Sequence, residues 1–479
     1  MLQTLKNAWT TKEIRSKILF TLFILLLYRI GTVIPVPFVE AHGFAENLNG
    51  TILEYMNVLS GGSLGTLTLF ALGVQPYINA SIIIQLLAVV FPKLGELGKT
   101  DKDKMNLITR IVTVAIAIIT AIGYYFLIRN GSGSGTTFLT HSAYSGKMAW
   151  LYGIVIVVCY TAGASLVMWL AERINERGIG NGISMILFAN IIAAVPSFVY
   201  RLVVLVVGTY SYTTNTALYA AVTTAFSVLL IAFLLALIAF VIFVTGSERR
   251  IPVQYAKKVV GRKMYGGQST NLPIKLNMTG VMPIIFASSI VTFLPTIFGI
   301  LEGANLVKEG SFWAKFADAI GTEGVVYPIM LFILIIAFAY FYTQITFDPM
   351  EVANNLKKNG GAIPGIRQGR PTSDYIRKIL NKITLAGALF LSIIAILPTV
   401  LGPHVFKHLF QWISEGAYIG TIWELYTDIK ALAAQSASNL VSVFTFGGTT
   451  LLIVVGVVTE TFREIEAQLT MRNYKGFLN

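Results

Sequence analysis

This chain is poor in the residues that carry most protein chemistry. Its 479 residues include one cysteine and four histidines, and only 12% are charged. The single Cys159 sits in an apolar run, so no internal disulfide can form and thiol redox chemistry has no resolving partner. Enzyme signatures are missing too. "GELGKT" at 95–100 is two residues short of a phosphate-binding loop. No His-Glu-x-x-His occurs, and Gly131, Gly133 and Gly135 read as a turn. His404 and His408 are four apart, but no third metal ligand accompanies them. No catalytic residue, metal or cofactor is expected.

What is abundant is apolar: 55% of residues are hydrophobic. Runs long enough to cross a hydrocarbon core of ~30 Å, each about 20 residues, recur along the chain. Charged and Pro/Gly-rich breaks divide them into ten spans near 18–34, 71–91, 107–128, 148–170, 183–200, 217–245, 278–300, 326–346, 383–402 and 446–461. The first run continues through Arg29 into "IPVP" without a small-residue cleavage pattern, so it reads as a span and not a removed signal. Arg29 itself is expected to snorkel to the outer interface.

The net charge of +13 would suit a nucleic-acid binder, but its placement says otherwise. Most Lys and Arg residues fall on the amino tail, the even-numbered connections and the carboxyl tail. By the positive-inside rule these face the cytoplasm, as do both termini. Carboxylates are absent from the middle of the spans, with Asp348 and Glu460 at cytoplasmic ends. An ion-coupled transporter would need one there.

"GVQPYINASIII" at 73–84 aligns without gaps to "GVMPIIFASSIV" at 280–291. Gly73, Val74, Pro76, Ile78, Ala80, Ser81 and Ile83 match Gly280, Val281, Pro283, Ile285, Ala287, Ser288 and Ile290. The copies lie in spans two and seven. Ten spans therefore divide into five plus five, 1–216 and 217–479, and an odd number per half inverts the second half relative to the first. Inverted repeats usually place a pathway between the halves. On this feature alone a secondary transporter of a small solute is the rival to a channel.

Ahead of the first copy runs "SGGSLGTLTLFAL". Its glycines each cost roughly 1 kcal/mol in a helix relative to alanine, and Pro76 follows. A broken, glycine-rich half-helix at this depth survives only if buried in protein or lining a cavity. It reads as a movable stopper, and branched aliphatic residues near it could close a pore by dewetting.

Across most of its length the chain resembles the SecY family, the central subunits of the bacterial protein-conducting channel. The stretches carrying the likeness are "YRIGTVIPVP", "SGGSLGTLTLFALGVQPYINASIIIQLL", "ERGIGNGIS", "GRKMYGGQSTNLPIKLNMTGVMPIIFASSI", "NNLKKNGGAIPGIRQGRPTSDYI" and "FGGTTLLIVVGV". The resemblance implies an all-α polytopic membrane protein of ten transmembrane helices around a central pore with a plug and a lateral gate, in a bacterial plasma membrane. It makes Gly61, Gly62, Ser63, Leu64, Gly65, Thr66, Leu67, Thr68, Leu69, Phe70, Ala71 and Leu72 the plug. It places the pore ring on Ile78, Ile82, Leu187, Ile191, Ile285 and Ile453, with Leu187 replacing the usual isoleucine. It sets the lateral gate between spans 2 and 3 and spans 7 and 8. There Pro76, Asn79, Ser81 and Gln85 would face Pro283, Ser288, Ser289 and Thr292, and either hydrogen-bond across the gate at ~1 kcal/mol each or only pack.

Two long cytoplasmic loops, 246–277 and 347–382, each carry seven basic residues. The first reads as a hairpin turning at Gly261-Arg262-Lys263. The resemblance makes both loops docking sites for the SecA motor ATPase and for ribosomal RNA, through Arg262, Lys263, Lys357, Lys358, Arg367 and Arg370. It also implies SecE and SecG subunits, and unfolded preprotein, signal peptide and membrane lipid as partners. The connection at 404–445 is longer than the family leads one to expect. Ile419, Ile422, Leu425, Tyr426, Ile429 and Leu432 give it an amphipathic stripe, which leaves three readings open: a cap on the external mouth, a helix on the outer leaflet, or an inserted segment.

Overall fold

The computed structural model describes residues 2–42, 44, 52–130, 137–140, 148–212, 216–255, 258–260, 263–265, 269–303, 326–401 and 448–475. His404, His408, the 404–445 connection and the glycine turn at 131–135 lie outside them.

A helix occupies each of the ten apolar windows. A short α1 (Leu2–Thr10) leads into α2 (Lys12–Gly31), and α3 (Ile52–Leu59) precedes the second window. There α4 (Gln75–Val90) is followed by α5 (Pro92–Thr100), bent from it by 118°. Pro92 opens the new helix, where its missing N–H costs nothing. Then come α6 (Lys102–Asn130), α7 (Ala149–Arg177), α8 (Gly182–Tyr212) and α9 (Thr216–Gly246). The remaining helices are α10 (Met282–Gly303), α11 (Val326–Thr346), the short α12 (Pro349–Lys358), α13 (Arg370–Val400) and α14 (Gly448–Lys475). Among the described residues, α6, α7, α13 and the stretch containing α11 and α12 are long and apolar enough to cross a bilayer, as is the bent α4–α5 pair taken as one span. Outward-facing Leu22, Phe23, Leu26 and Ile30 on α2 are exposed, as a lipid-facing stripe should be.

The two copies of the repeat share a backbone device. Gly73 and Gly280 both have positive φ (55° and 66°), each two residues before its helix begins. Pro76 and Pro283 each occupy the second position of the following helix, where no N–H is needed.

One apolar core joins both halves of the chain, drawing on α2, α4, α6–α8, α10, α11, α13 and α14. Arg110, inside the third window on α6, is partly exposed and lies outside this cluster. Its guanidinium pairs with Glu172 of α7 at 2.8 Å, so neither group is left uncompensated.

A second, smaller core lies under the two basic loops. Strands β1 (Glu248–Tyr255) and β4 (Ser269–Lys275) pair antiparallel from Glu248–Lys275 to Gln254–Ser269. The far edge of β1 takes β5 (Gly361–Ala362) from the other loop, giving the order β4-β1-β5. Ile251, Val253, Ile274, Ile363, Ile376 and Leu380 fill the space beneath. Inside the hairpin, β2 (Lys258–Val260) and β3 (Lys263–Tyr265) pair Val260 with Lys263. Lys263 is therefore the first residue of a strand and not part of the turn. Arg262 lies outside the described residues.

Candidate functional site: an apolar centre, its covering segment and a polar seam

Ile78 and Ile82 project from α4, Leu187 and Ile191 from α8, Ile285 from α10 and Ile453 from α14. All six are at most 5% exposed and belong to the same apolar cluster. The i,i+4 spacing on α4 and α8 puts each pair on one helical face. Six branched chains from four helices are thus buried in one apolar cluster.

Residues 60–74 contribute to the same cluster through Leu64, Leu67, Phe70, Ala71, Leu72 and Val74, but not as a half-helix. They form consecutive turns between α3 and α4. The cause is local: Gly61, Gly62 and Leu67 have φ of 69°, 89° and 49°, outside the right-handed helical region. The backbone instead bonds to the chain after α2. Leu69 N–H donates to Ile34 O at 2.9 Å, and Pro35 and Thr68 form a β-bridge. Ser63, Leu64, Gly65, Leu67, Thr68, Phe70, Ala71 and Leu72 are buried, Gly61, Gly62 and Leu69 partly so, and Thr66 is exposed. Phe70 stacks on Tyr28, with ring centroids 5.4 Å apart.

Two glycines on neighbouring helices make room for this segment. A Cβ on Gly31 of α2 would lie 2.0 Å from Phe70, and one on Gly163 of α7 would lie 1.9 Å from the Leu69 carbonyl oxygen. Polar groups tie its start. Asn190 of α8 donates from Nδ2 to Leu59 O at 2.7 Å and to the Tyr28 hydroxyl at 2.9 Å. Arg29 donates to Gly61 O at 3.3 Å. Arg29 thus turns inward to the turn segment and does not simply snorkel outward, because this carbonyl offers a partner within reach. Asn57 Oδ1 accepts from Gly65 N–H at 2.7 Å.

Beside the centre, α4 and α6 meet α10, and α10 packs on α11. A small cleft at this seam is lined by Pro76, Asn79, Ser289 and Thr292, among others. Gln85 bridges the seam. Its Nε2 donates to Ser81 Oγ at 3.0 Å on its own helix, and its Oε1 accepts from the Tyr342 hydroxyl of α11 at 2.5 Å. Ser288 and Thr292 do not cross it. Their hydroxyls donate to Ile285 O at 3.0 Å and Ser288 O at 2.8 Å within α10. A buried hydroxyl with no partner on the facing helix is satisfied by its own backbone. Pro283 is buried at the start of α10.

Of the basic residues, Lys357 and Lys358 end α12, where a cation suits the helix carboxyl terminus. Both are exposed, as are Arg367 and Arg370, the latter opening α13. Asp348 caps the start of α12 by accepting from Met350 N–H at 2.8 Å. Burial, reinforced by repulsion from Arg463 and opposed by Glu248, pulls the Lys275 ammonium below its ordinary value. Lys275 is partly buried, unlike the exposed cations on the second loop.

Tyr342 and Asn190 escaped the sequence reading. Each sits in a predominantly apolar helix, and nothing in the local spacing distinguishes it from a packing residue.

The fold and these features define a class: a polytopic helical membrane protein with a turn-rich segment buried at its apolar centre and a polar seam between two helix pairs. The sequence model of the SecY family matches residues 68–462. Over the full length of both chains, the protein is 40% identical to the protein translocase subunit SecY of Mycobacterium tuberculosis strain H37Rv and 39% identical to that of Streptomyces galbus. Among solved structures, a protein-conducting channel gives a TM-score of 0.58 at 17% identity, covering 95% of this chain and 92% of the other. Sec61 from the canine ribosome–channel complex gives 0.56 at 17% identity with the same coverage. The chain belongs to the SecY family, which sets aside the small-solute transporter.

Proposed function

We propose that this chain is the pore-forming subunit of a protein-conducting channel, passing unfolded preproteins out of the cytoplasm and releasing apolar segments sideways into lipid. The observation that supports this reading is the burial, in one apolar cluster, of six branched side chains from α4, α8, α10 and α14 together with the turn segment 60–74. An aliphatic ring seals by dewetting yet yields to any side chain threaded through it. Residues 61–72 act as the plug, and the seam between α4 and α6 and α10 and α11 is the lateral gate. An apolar segment gains about 0.3–0.6 kcal/mol per Leu or Ile on entering lipid, so its exit needs no chemical step.

The chain is not an enzyme in this reading, so the driving energy comes from a partner, SecA or a translating ribosome. Both dock on the sheet that joins the two basic loops. SecE and SecG complete the assembly, and signal peptide and lipid meet at the gate. The protein sits in a bacterial plasma membrane with both termini cytoplasmic. The division into halves at 216/217 gives the inverted repeat.

Single-channel conductance in planar bilayers tests the proposal. The intact protein should be nearly silent, and a form lacking residues 61–70 should conduct strongly. Silence from both, with exchange of a small solute, would overturn it.

A further inference from the structure

The start of the turn segment is held by a polar group that keeps one acceptor in reserve. Asn190 sits on the same face of α8 as Leu187 and Ile191, and it is fully buried. Carbonyl oxygens can only accept, so the amide nitrogen must face Leu59 O, and this fixes the orientation of the amide. Its Oδ1 is then turned to the opposite side, buried and without a hydrogen-bond partner among the described residues. An unpaired buried acceptor is costly, and a native protein rarely leaves one without a reason.

The reason lies one residue away. A Cβ on Gly61 would lie 2.6 Å from Asn190 Oδ1 and 2.7 Å from Arg29 Nη1. The acceptor and the guanidinium thus converge on the space beside the same glycine, with no hydrogen bond between them among the described residues. Arg29 spends one N–H on Gly61 O, and that bond is long at 3.3 Å. A guanidinium has five donors. While residues 60–62 are seated, Gly61 O draws the guanidinium to itself, and Asn190 Oδ1 is the nearby acceptor it can turn to once those residues leave.

Resting on the reading of residues 61–72 as a plug, we infer that Asn190 and Arg29 form a two-position clasp. With the plug seated they hold its hinge through Leu59 O and Gly61 O. With the plug withdrawn they bond to each other, Arg29 donating to Asn190 Oδ1. The second arrangement satisfies the acceptor that the first leaves bare and lowers the cost of vacating the site. Asn190 is thereby a positioning residue for gating, adjacent to the ring residue Ile191. Gly61 is required because a Cβ at this position would press on both partners, and its φ of 69° adds to that requirement.

Asn190→Asp separates this device from simple packing. The aspartate has nearly the same shape, cannot donate to Leu59 O, and forms a stronger, charge-assisted pair with Arg29. It removes the seated arrangement and favours the withdrawn one. Resting open probability in planar bilayers should rise at least about tenfold over the parent and exceed that of Asn190→Ala, which loses both arrangements. Adding Arg29→Gln to Asn190→Asp should bring the open probability back toward the Asn190→Ala value. In channels lacking residues 61–70, none of these substitutions should change conductance.

An Asn190→Asp channel as tight as the parent, or no leakier than Asn190→Ala, overturns the clasp while the plug stands. An Asn190→Asp channel that fails to conduct even without residues 61–70 also overturns it, making Asn190 a packing residue. If the deletion alone leaves the channel silent, the plug reading itself has failed, and that result is distinct from the other two.

Discussion

The Tyr342 hydroxyl donates a 2.5 Å hydrogen bond to Gln85 Oε1, joining α11 to α4 across the seam beside the apolar centre. Gln85 in turn donates to Ser81, so the seam is held by a short chain of polar groups and not by the Ser288 and Thr292 hydroxyls opposite. In an apolar environment such a bond contributes about 0.6–2 kcal/mol.

Removing that bond should loosen the seam without disturbing the helices. Tyr342→Phe keeps the ring, which packs edge-on to Phe286 at 5.2 Å, and deletes only the hydroxyl. The gate equilibrium is expected to shift about threefold to tenfold toward opening. The readout is the rate of disulfide formation between cysteines replacing Asn79 and Ser289, which line the same cleft. The rate should fall in Tyr342→Phe, and an unchanged rate would show that the bond does not hold the gate.

Glycines facing the turn segment should resist even one methyl group. Gly163→Ala directs its Cβ at the backbone oxygen of Leu69, which cannot rotate away, so the turn segment must shift. Gly31→Ala meets the ring of Phe70, which can turn at some cost. Overpacking of this kind costs about 1–3 kcal/mol. Ion leak should increase in both, more in Gly163→Ala, and the difference should vanish when residues 61–70 are deleted.

Polarity introduced into the apolar centre should wet it. Ile78 and Ile285 are 0% and 1% exposed, and they occupy equivalent positions in the internal repeat. Replacing either with asparagine should raise resting conductance by similar factors, and replacing both should raise it further. Single-channel recording of the two single variants and the double variant checks this. Equal conductance in the parent and the double variant would remove these residues from the pore.

The exposed cations on the second loop should behave as phosphate contacts. Lys357, Lys358 and Arg367 carry no ion pair to a carboxylate among the described residues. Reversing Arg367 to glutamate should weaken ribosome binding severalfold at low salt. It should also flatten the slope of log affinity against log salt by about one. Binding of ribosomes to reconstituted vesicles across a salt titration measures both. A weaker affinity with an unchanged slope would mean a shape effect and not a phosphate contact.

The cap on α12 should matter through the position of those cations. Asp348→Ala removes the bond to Met350 N–H and should cost about 1 kcal/mol. Amide exchange over residues 350–353 should quicken while exchange in α13 stays unchanged. Equal acceleration in both helices would show that the cap serves the whole platform.

The sequence by itself determined where the long apolar helices fall. Helical runs follow from apolar length and the need to satisfy every backbone group in lipid, so each of the ten windows holds a helix. The break before Gln75 was legible because glycine and proline act on their own backbone, wherever the rest of the chain lies. That residues 60–74 would be turns bonded to 34–36, and not a half-helix, was not legible. It depends on which distant strand of backbone accepts their hydrogen bonds. The same holds for Asn190 reaching Leu59, for Arg29 turning inward, and for Tyr342 meeting Gln85 257 residues earlier. The sheet that joins the two basic loops through Gln254–Ala362 pairing was likewise invisible, since each loop alone shows only its own strands. Local sequence sets what a segment can do with its own backbone. Only tertiary structure selects, among many buried polar groups, the partner that lies within 3 Å.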